Sequence, residues 1–266
     1  MSKEDDILLR NIEDKIDKCM DDYRSTNSIF LDLRQRSLAE NSCKRRSGLQ
    51  FIFYGGYEEA ERTIALFLPD YISLSNTDFK TIHAYFQENE EDNPLALLRI
   101  INESSKGKEL SHRDYLGALT GLGVKREMIG DILVRKDGAD IIILKEMADF
   151  LMIHYEKAGR AYLNAEVKTI AELIVPEGQF EEIKDTVASL RIDNVVASAF
   201  RTSRGKAAEA ITGGFVFLNG IQTDKTDKQV KEGDKLVLRG KGKVILQEIG
   251  GSTRKDRVFI ILKKYL

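Results

Sequence analysis

Apolar residues Leu9, Ile12, Ile16, Met20 and Tyr23 recur every three or four positions through residues 7–23, with charges between them. That period predicts an amphipathic helix. A second helix is expected over residues 30–43, ended by the basic cluster Lys44-Arg45-Arg46. Residues 49–54 read as a strand closing at Gly55-Gly56, residues 58–63 as a short helix, and residues 64–68 as a strand stopped by Pro69. Residues 1–77 thus predict a small N-terminal α/β unit.

A turn at Asn76-Thr77-Asp78 opens the next stretch, residues 78–175. Strands are expected at 81–86 and 95–101, then a helical pair over 111–130. Ser111 is the candidate N-cap, with Asp114 three residues on to answer it. Leu116, Leu119 and Leu122 would line one face, and Gly121 and Gly123 would break the helix. Strands at 131–135 and 139–144 flank Lys136-Asp137-Gly138, and a helix over 145–158 and a strand over 160–167 follow. The order ββαββαβ is close to that of ferredoxin-like and RNA-recognition domains, a sheet with helices on one face. The aromatic octapeptide by which such sheets stack bases is not visible, so base stacking is not expected of this unit.

Pro176-Glu177-Gly178 reads as a linker into a third part, residues 183–266. Residues 190–196 open a short helix, Ser203 to Ala208 opens another, and Gly213-Gly214 ends it. Phe215-Val216-Phe217-Leu218 and Ile221-Gln222-Thr223 are paired strands around Asn219-Gly220, a tight turn that needs positive φ at both positions. Lys235-Leu236-Val237-Leu238-Arg239 alternates basic and apolar side chains, so cations should cover one face of a strand. The fold class expected for the whole chain is α+β.

Charge changes the picture of partners. The 266 residues carry 41 Lys+Arg against 43 Asp+Glu, which by itself implies no polyanion partner. The balance is uneven, however: residues 183–266 carry net +8 and residues 1–182 net −10. A positive field on one part attracts phosphates even when the whole molecule is near neutral. No apolar run approaches the ~20 residues of a membrane helix, and the acidic start lacks the pattern of a signal peptide, so a cytoplasmic protein with no membrane partner is expected. Cys19 and Cys43 are neither a metal knuckle nor a redox pair.

Catalytic templates fail on inspection. Gly121-Leu122-Gly123-Val124-Lys125-Arg126 lacks what a phosphate-cradling loop requires, and His83, His112 and His154 are scattered, so no metal and no cofactor are expected. Ser203-Arg204-Gly205-Lys206 copies the Ser-x-x-Lys of penicillin-binding enzymes without their other motifs, and His112-Arg113-Asp114 copies a kinase triplet with Leu119 where the metal-binding Asn belongs.

The second helix of the basic part carries the sharpest clue. Arg204 and Lys206 fall in its first turn, where the helix dipole is positive and a cation costs about 0.3–1 kcal/mol. A phosphate held by the first-turn amides and both side chains would compensate, with Ser203 either capping the helix or donating its hydroxyl. A solvated basic corner is the alternative. Arg191, Arg201, Lys235, Arg239, Lys241 and Lys243 in the same unit favour phosphate.

Arg191-Ile192-Asp193, Ser203-Arg204, Ala207, Ile211, Gly214, Val216, Asn219-Gly220 and Val230-x-x-Gly233-Asp234 resemble the S4-type RNA-binding module in both order and spacing. The resemblance implies an RNA surface formed by Arg191, Arg201, Ser203, Arg204 and Lys206. Asp193 is expected to hold Arg191 or a helix end, because a carboxylate facing phosphate is repelled. Upstream, Gly55 to Arg62 and His112 to Ile132 resemble the signature segments of the YlmH family of bacterial S4-domain proteins. That family's Asp-Pro-Arg-Glu-Gln stretch appears here as Asp32-Leu33-Arg34-Gln35-Arg36. The family resemblance implies a further RNA-binding domain of RNA-recognition type in the middle, served by Arg113, Lys125 and Arg126. It also implies a non-enzymatic factor of ribosome-associated quality control that binds ribosomal RNA and peptidyl-tRNA on the large subunit. Two other classes stand beside it: an RNA-modifying enzyme of pseudouridine-synthase type, whose catalytic Asp stands in a Gly-Arg-Leu-Asp context although the only similar triplet here, Arg191-Ile192-Asp193, belongs to the module itself, and an adaptor binding a division protein.

Overall fold

The computed structural model describes residues 3–72, 74, 78–103, 110–175, 180–253 and 256–265. It divides into two compact units, Met1–Pro176 and Glu177–Leu266. The chain is α+β, with strands and helices in both. The linker expected at Pro176-Glu177-Gly178 and the turn residues Asn76-Thr77 lie outside the described residues.

Helix α1 (Lys3–Asp22) buries Leu8, Ile12, Ile16 and Cys19; of the expected stripe only Ile12 and Ile16 are buried, Leu9 is half-buried, and Met20 and Tyr23 are exposed, so the buried face is turned toward Leu8 and Cys19. That face packs on Ala39 and Cys43 of α2 (Leu33–Cys43) and on one face of a three-stranded sheet. That sheet comprises β1 (Thr26–Asn27), β2 (Gln50–Tyr54) and β3 (Ile64–Leu68), in the order β1-β3-β2. α2 starts later than expected, at a capping box in which Asp32 accepts from the Gln35 amide and the Gln35 side chain accepts from the Asp32 amide.

Three expected elements are overturned, among them the second helix of the pair over 111–130, which is only a 3-10 turn at Arg126–Met128. Residues 58–63 form no helix, because their amides are used elsewhere: Glu61 N and Arg62 N donate to the Asp131 carboxylate at 2.6 and 3.1 Å, and the Tyr57 hydroxyl donates to it at 2.8 Å. Residues 81–86 are not a strand but part of α3 (Phe79–Glu88), capped by Asp78 accepting from the Thr81 amide. Phe79, Ile82 and Phe86 have helical spacing, and Ile82 and Phe86 enter the core.

Beyond α3 the order is β4 (Leu95–Asn102), α4 (His112–Gly121), β5 (Ile129–Arg135), β6 (Gly138–Leu144), α5 (Ala148–His154), β7 (Lys157–Ala158) and β8 (Ala161–Lys168). The helix expected over 145–158 is thus a 3-10 turn plus α5, ending at His154. Of the expected α4 face, Leu119 is buried and Leu122 is exposed, and Tyr115 fills the core beside Leu119. The capping box of Ser111 and Asp114 is present. The sheet is antiparallel in the order β5-β6-β4-β8-β7, so the longer elements follow the βαββαβ plan of a ferredoxin-like layer.

Both faces of this sheet are covered. Ile141 and Ile143 of β6 point to the core under α4 and α5, while Ile142 and Leu144 join Ile52, Tyr54, Ile64 and Leu66 of the first sheet and Ile82 and Phe86 of α3. β3 and β6 are buried along their whole length, which is why they read as unbroken apolar runs instead of alternating ones. The face that RNA-recognition domains leave open for bases is closed here by the N-terminal elements.

The second unit is a six-stranded antiparallel sheet in the order β11-β10-β12-β13-β14-β9, with two helices on one side. Its strands are β9 (Phe180–Val187), β10 (Val216–Leu218), β11 (Ile221–Gln222), β12 (Lys235–Leu238), β13 (Gly242–Ser252) and β14 (Val258–Tyr265); its helices are α6 (Ile192–Ala199) and α7 (Arg204–Thr212). β9, β13 and β14 were not foreseen. Asn219 and Gly220 have φ of 51° and 76°, the turn the sequence predicts, and Gly214, at 75°, ends α7.

Candidate nucleic-acid interface

Helices α6 and α7 pack on the sheet through Ile192, Val195, Val196, Ala199, Ala207 and Ile211, which fixes where their first turns emerge. Asp193 lies in the first turn of α6 and is 3% exposed. Its carboxylate accepts from Arg191 Nε and Nη2, both at 3.2 Å, and from Arg204 Nε at 3.0 Å, with Arg204 Nη2 at 2.9 Å. It also accepts from the Asn194 amide at 2.9 Å. One buried acid therefore holds two guanidinium groups from the starts of two helices. Burial alone would raise the Asp193 carboxyl; the hydrogen bonds from Arg191 and Arg204 outweigh it and hold the group below the usual carboxylate range.

This arrangement answers half of the electrostatic puzzle at the start of α7. Arg204 is compensated from within the protein, by Asp193. Lys206 in the same turn is exposed and makes no ion pair among the described residues. Ser203 caps the helix, its Oγ accepting from the Lys206 amide at 3.2 Å. Each clamped guanidinium uses its Nε and one terminal nitrogen on Asp193, so N–H donors remain on its outer edge, and the side chains of Arg191 and Arg204 are 34% and 55% exposed. Beside them an open cleft of about 370 Å³ is lined by Asn194, Ser198, Thr202, Arg204 and Arg257. Arg257 was not among the expected residues, although the basic run Arg254-Lys255-x-Arg257 before an apolar strand is visible in the sequence. Arg201, with φ of 48°, is ion-paired to Glu181 of β9 in an exposed position.

The expected site residues do not form one surface. In β12 and β13 the residues Leu236, Leu238, Val244 and Leu246 face the helices, so alternation puts Lys235 and Lys243 on the opposite side of the sheet, and Arg239 follows the same phase. Arg239 lies over the Phe217 ring at 4.9 Å and Lys243 over Tyr265 at 4.2 Å. Lys241 is exposed in the turn between β12 and β13. In the first unit Arg113 is exposed in the opening turn of α4, and Lys125 is exposed and 3.9 Å from Glu127. Arg126 is differently placed: its Nη1 donates to the carbonyls of Ile129 and Gly130 at 2.6 and 3.0 Å, and burial together with nearby Arg62 pushes its guanidinium down to about 10. It braces the backbone beside Asp131.

Two crossed helices on a sheet, their first turns locked by one acid and edged with cations, define an RNA-binding module of S4 type. Residues 190–236 match the family model "S4 domain", and residues 88–172 match one described as "Putative RNA-binding domain in YlmH". The chain is 32% identical over 235 residues to "Ribosome-associated protein quality control protein P2" of Bacillus subtilis (strain 168), covering 88% of this chain and 85% of that protein. A solved structure, "Cell division protein ylmH from Streptococcus pneumoniae", aligns with a TM-score of 0.48 and 26% identity over 65% of this chain and 96% of that one. The chain belongs to the YlmH family of S4-domain RNA-binding proteins. The family models it matches are RNA-binding ones, and no described helix is long and apolar enough to cross a membrane.

Proposed function

We propose that this chain is a non-enzymatic, cytoplasmic factor of ribosome-associated quality control that docks on ribosomal RNA and peptidyl-tRNA of the large subunit. The observation that carries the proposal is the Asp193 clamp. By holding Arg191 and Arg204 in fixed positions beside Lys206, it presents preorganised donors to phosphates at the spacing of two helix starts. Recognition is then of shape and phosphate geometry, since side chains cannot read bases inside an A-form major groove. The name of the Bacillus subtilis relative, a ribosome-associated quality control protein, supports the ribosomal setting. Asp193, the acid whose triplet resembles the pseudouridine-synthase Gly-Arg-Leu-Asp, is engaged by two arginines and an amide, which favours binding over chemistry.

Co-sedimentation with isolated large subunits tests the proposal. Replacing Arg191 and Arg204 by Ala would strand the buried Asp193 carboxylate and confuse unfolding with lost binding. The cleaner variant is Lys206→Glu, with Arg204→Ala/Asp193→Asn as a second that removes a charge and its partner together. Both are expected to lose co-sedimentation while staying folded, Lys206→Glu with a melting transition within a few degrees of wild type and the double variant with the lower stability that Asp193→Asn brings. Undiminished co-sedimentation of both, or in-cell crosslinks to division proteins in place of ribosomal RNA, would overturn it.

A further inference from the structure

The outer face of the C-terminal sheet, turned away from α6 and α7, combines rings and cations in a regular pattern. Alternation fixes this face: Ile260 and Leu262 of β14 and Ile183 and Val187 of β9 enter the helix-side core, so Lys263, Tyr265 and Phe180 lie on the other side with Phe217, Arg239 and Lys243. Phe217 on β10 sits opposite Val237 on β12, Val237 opposite Lys243 on β13, Lys243 over Tyr265 on β14, and Tyr265 opposite Phe180 on β9. The row crosses five strands, about 19 Å at ~4.8 Å per strand. Arg239, Lys243 and Lys263 stand 4.9, 4.2 and 4.2 Å from the ring centroids of Phe217, Tyr265 and Phe180. Lys235 and Lys184 lie on the same face. Among the described strand residues the acids there are Glu182, paired with Lys184 at 2.9 Å, and Glu248.

We propose that this face is a second RNA-contacting surface, separate from the Asp193 clamp, that takes unpaired nucleotides by stacking bases on Phe217, Tyr265 and Phe180. The inference rests on the RNA-binding role proposed above and adds to it a substrate class, single-stranded RNA. Rings laid on a sheet and interleaved with cations are what sequence-tolerant single-strand binding requires, because every base has a π-face and every linkage a phosphate. A cation lying over a ring can turn to a phosphate and leave the ring to a base. An apolar protein partner would bury the same cations without compensation, so the charge favours a polyanion. The closed sheet of the first unit, by contrast, has no face left for this task.

The test uses the full-length chain and a labelled unstructured oligouridine of about a dozen nucleotides, read by fluorescence anisotropy. The variant Phe217→Leu/Tyr265→Leu, which keeps apolar volume, is expected to weaken oligouridine binding tenfold or more while co-sedimentation with large subunits falls far less. Lys206→Glu should show the reverse, so failure of the clamp and failure of this face are told apart. If the leucine variant misfolds, photocrosslinking of wild-type protein to the same oligouridine decides, with crosslinks expected on the peptides that bear Phe217, Tyr265 or Phe180. Wild-type affinity of a folded leucine variant, or crosslinks confined to the first turns of α6 and α7, would overturn the inference.

Discussion

Asp193 is the residue on which the helix-side surface depends. A buried carboxylate with two guanidinium partners is a structural device with a functional edge, since the same bonds that satisfy it aim Arg191 and Arg204 outward. Asp193→Asn is expected to lower stability by about 1–3 kcal/mol in denaturant unfolding, because it removes charge-assisted bonds from a buried position. The pH dependence has a definite sign. The folded carboxyl is held below its ordinary value, so its contribution is complete above the unfolded value of about 3.9 and drains as pH falls through the depressed one. The stability gap between wild type and Asp193→Asn should therefore narrow below about pH 4 and stay constant at neutral pH. The holding role of Asp193 was legible in the sequence, because repulsion from phosphate leaves a carboxylate in a basic site few other tasks. The bracing role of Arg126 was not, since nothing local marks the carbonyls of Ile129 and Gly130 as needing a donor.

Elements were legible where their own residues decided them. The Asn219-Gly220 turn and the caps at Ser111 and Ser203 each rest on interactions within a few positions, and α1 was legible as a helix although its buried face is turned from the expected one. Residues 58–63 failed as a helix because their acceptor, Asp131, lies some 70 positions away in sequence. Residues 81–86 looked like a strand because the run includes β-favouring residues, yet Asp78 and the spacing of Phe79, Ile82 and Phe86 outweighed that. The Asn219-Gly220 turn also does more than reverse the chain: Asn219 Nδ2 donates to Asp234 at 2.8 Å, and Asn219 Oδ1 accepts from the Lys235 amide at 2.9 Å. Asn219→Ala loses both bonds and keeps a strained positive φ, a cost of about 1–3 kcal/mol, whereas Asn219→Gly relieves the strain and should cost less. Thermal melts of the two variants check the order. The unforeseen β9 and β14 pair with each other over eight residues, a contact between segments about 80 positions apart that no local pattern announces.

For the whole molecule the uneven charge is the leading fact. Both proposed RNA surfaces lie in the +8 part, and on that proposal the −10 part would limit indiscriminate adhesion to RNA. If about five phosphates are neutralised, subunit affinity should fall by roughly two to three decades between about 50 and 200 mM salt. Lys206→Glu should flatten that slope by one to two contacts, and a slope that the substitution leaves unchanged would remove Lys206 from the interface.

The ladder between β9 and β14 has a consequence for where the functional module begins and ends. The stretch that looks like an S4 domain, residues 190–236, contains neither strand, yet Ile183, Val187, Ile260 and Leu262 belong to its core. A fragment trimmed to the recognisable motif would lose part of that core, cut β12 after Leu236 and leave β10 with backbone donors and acceptors that β12 pairs in the full chain. Such a fragment is set up for self-association. The unit of inheritance visible in sequence is therefore smaller than the unit that folds.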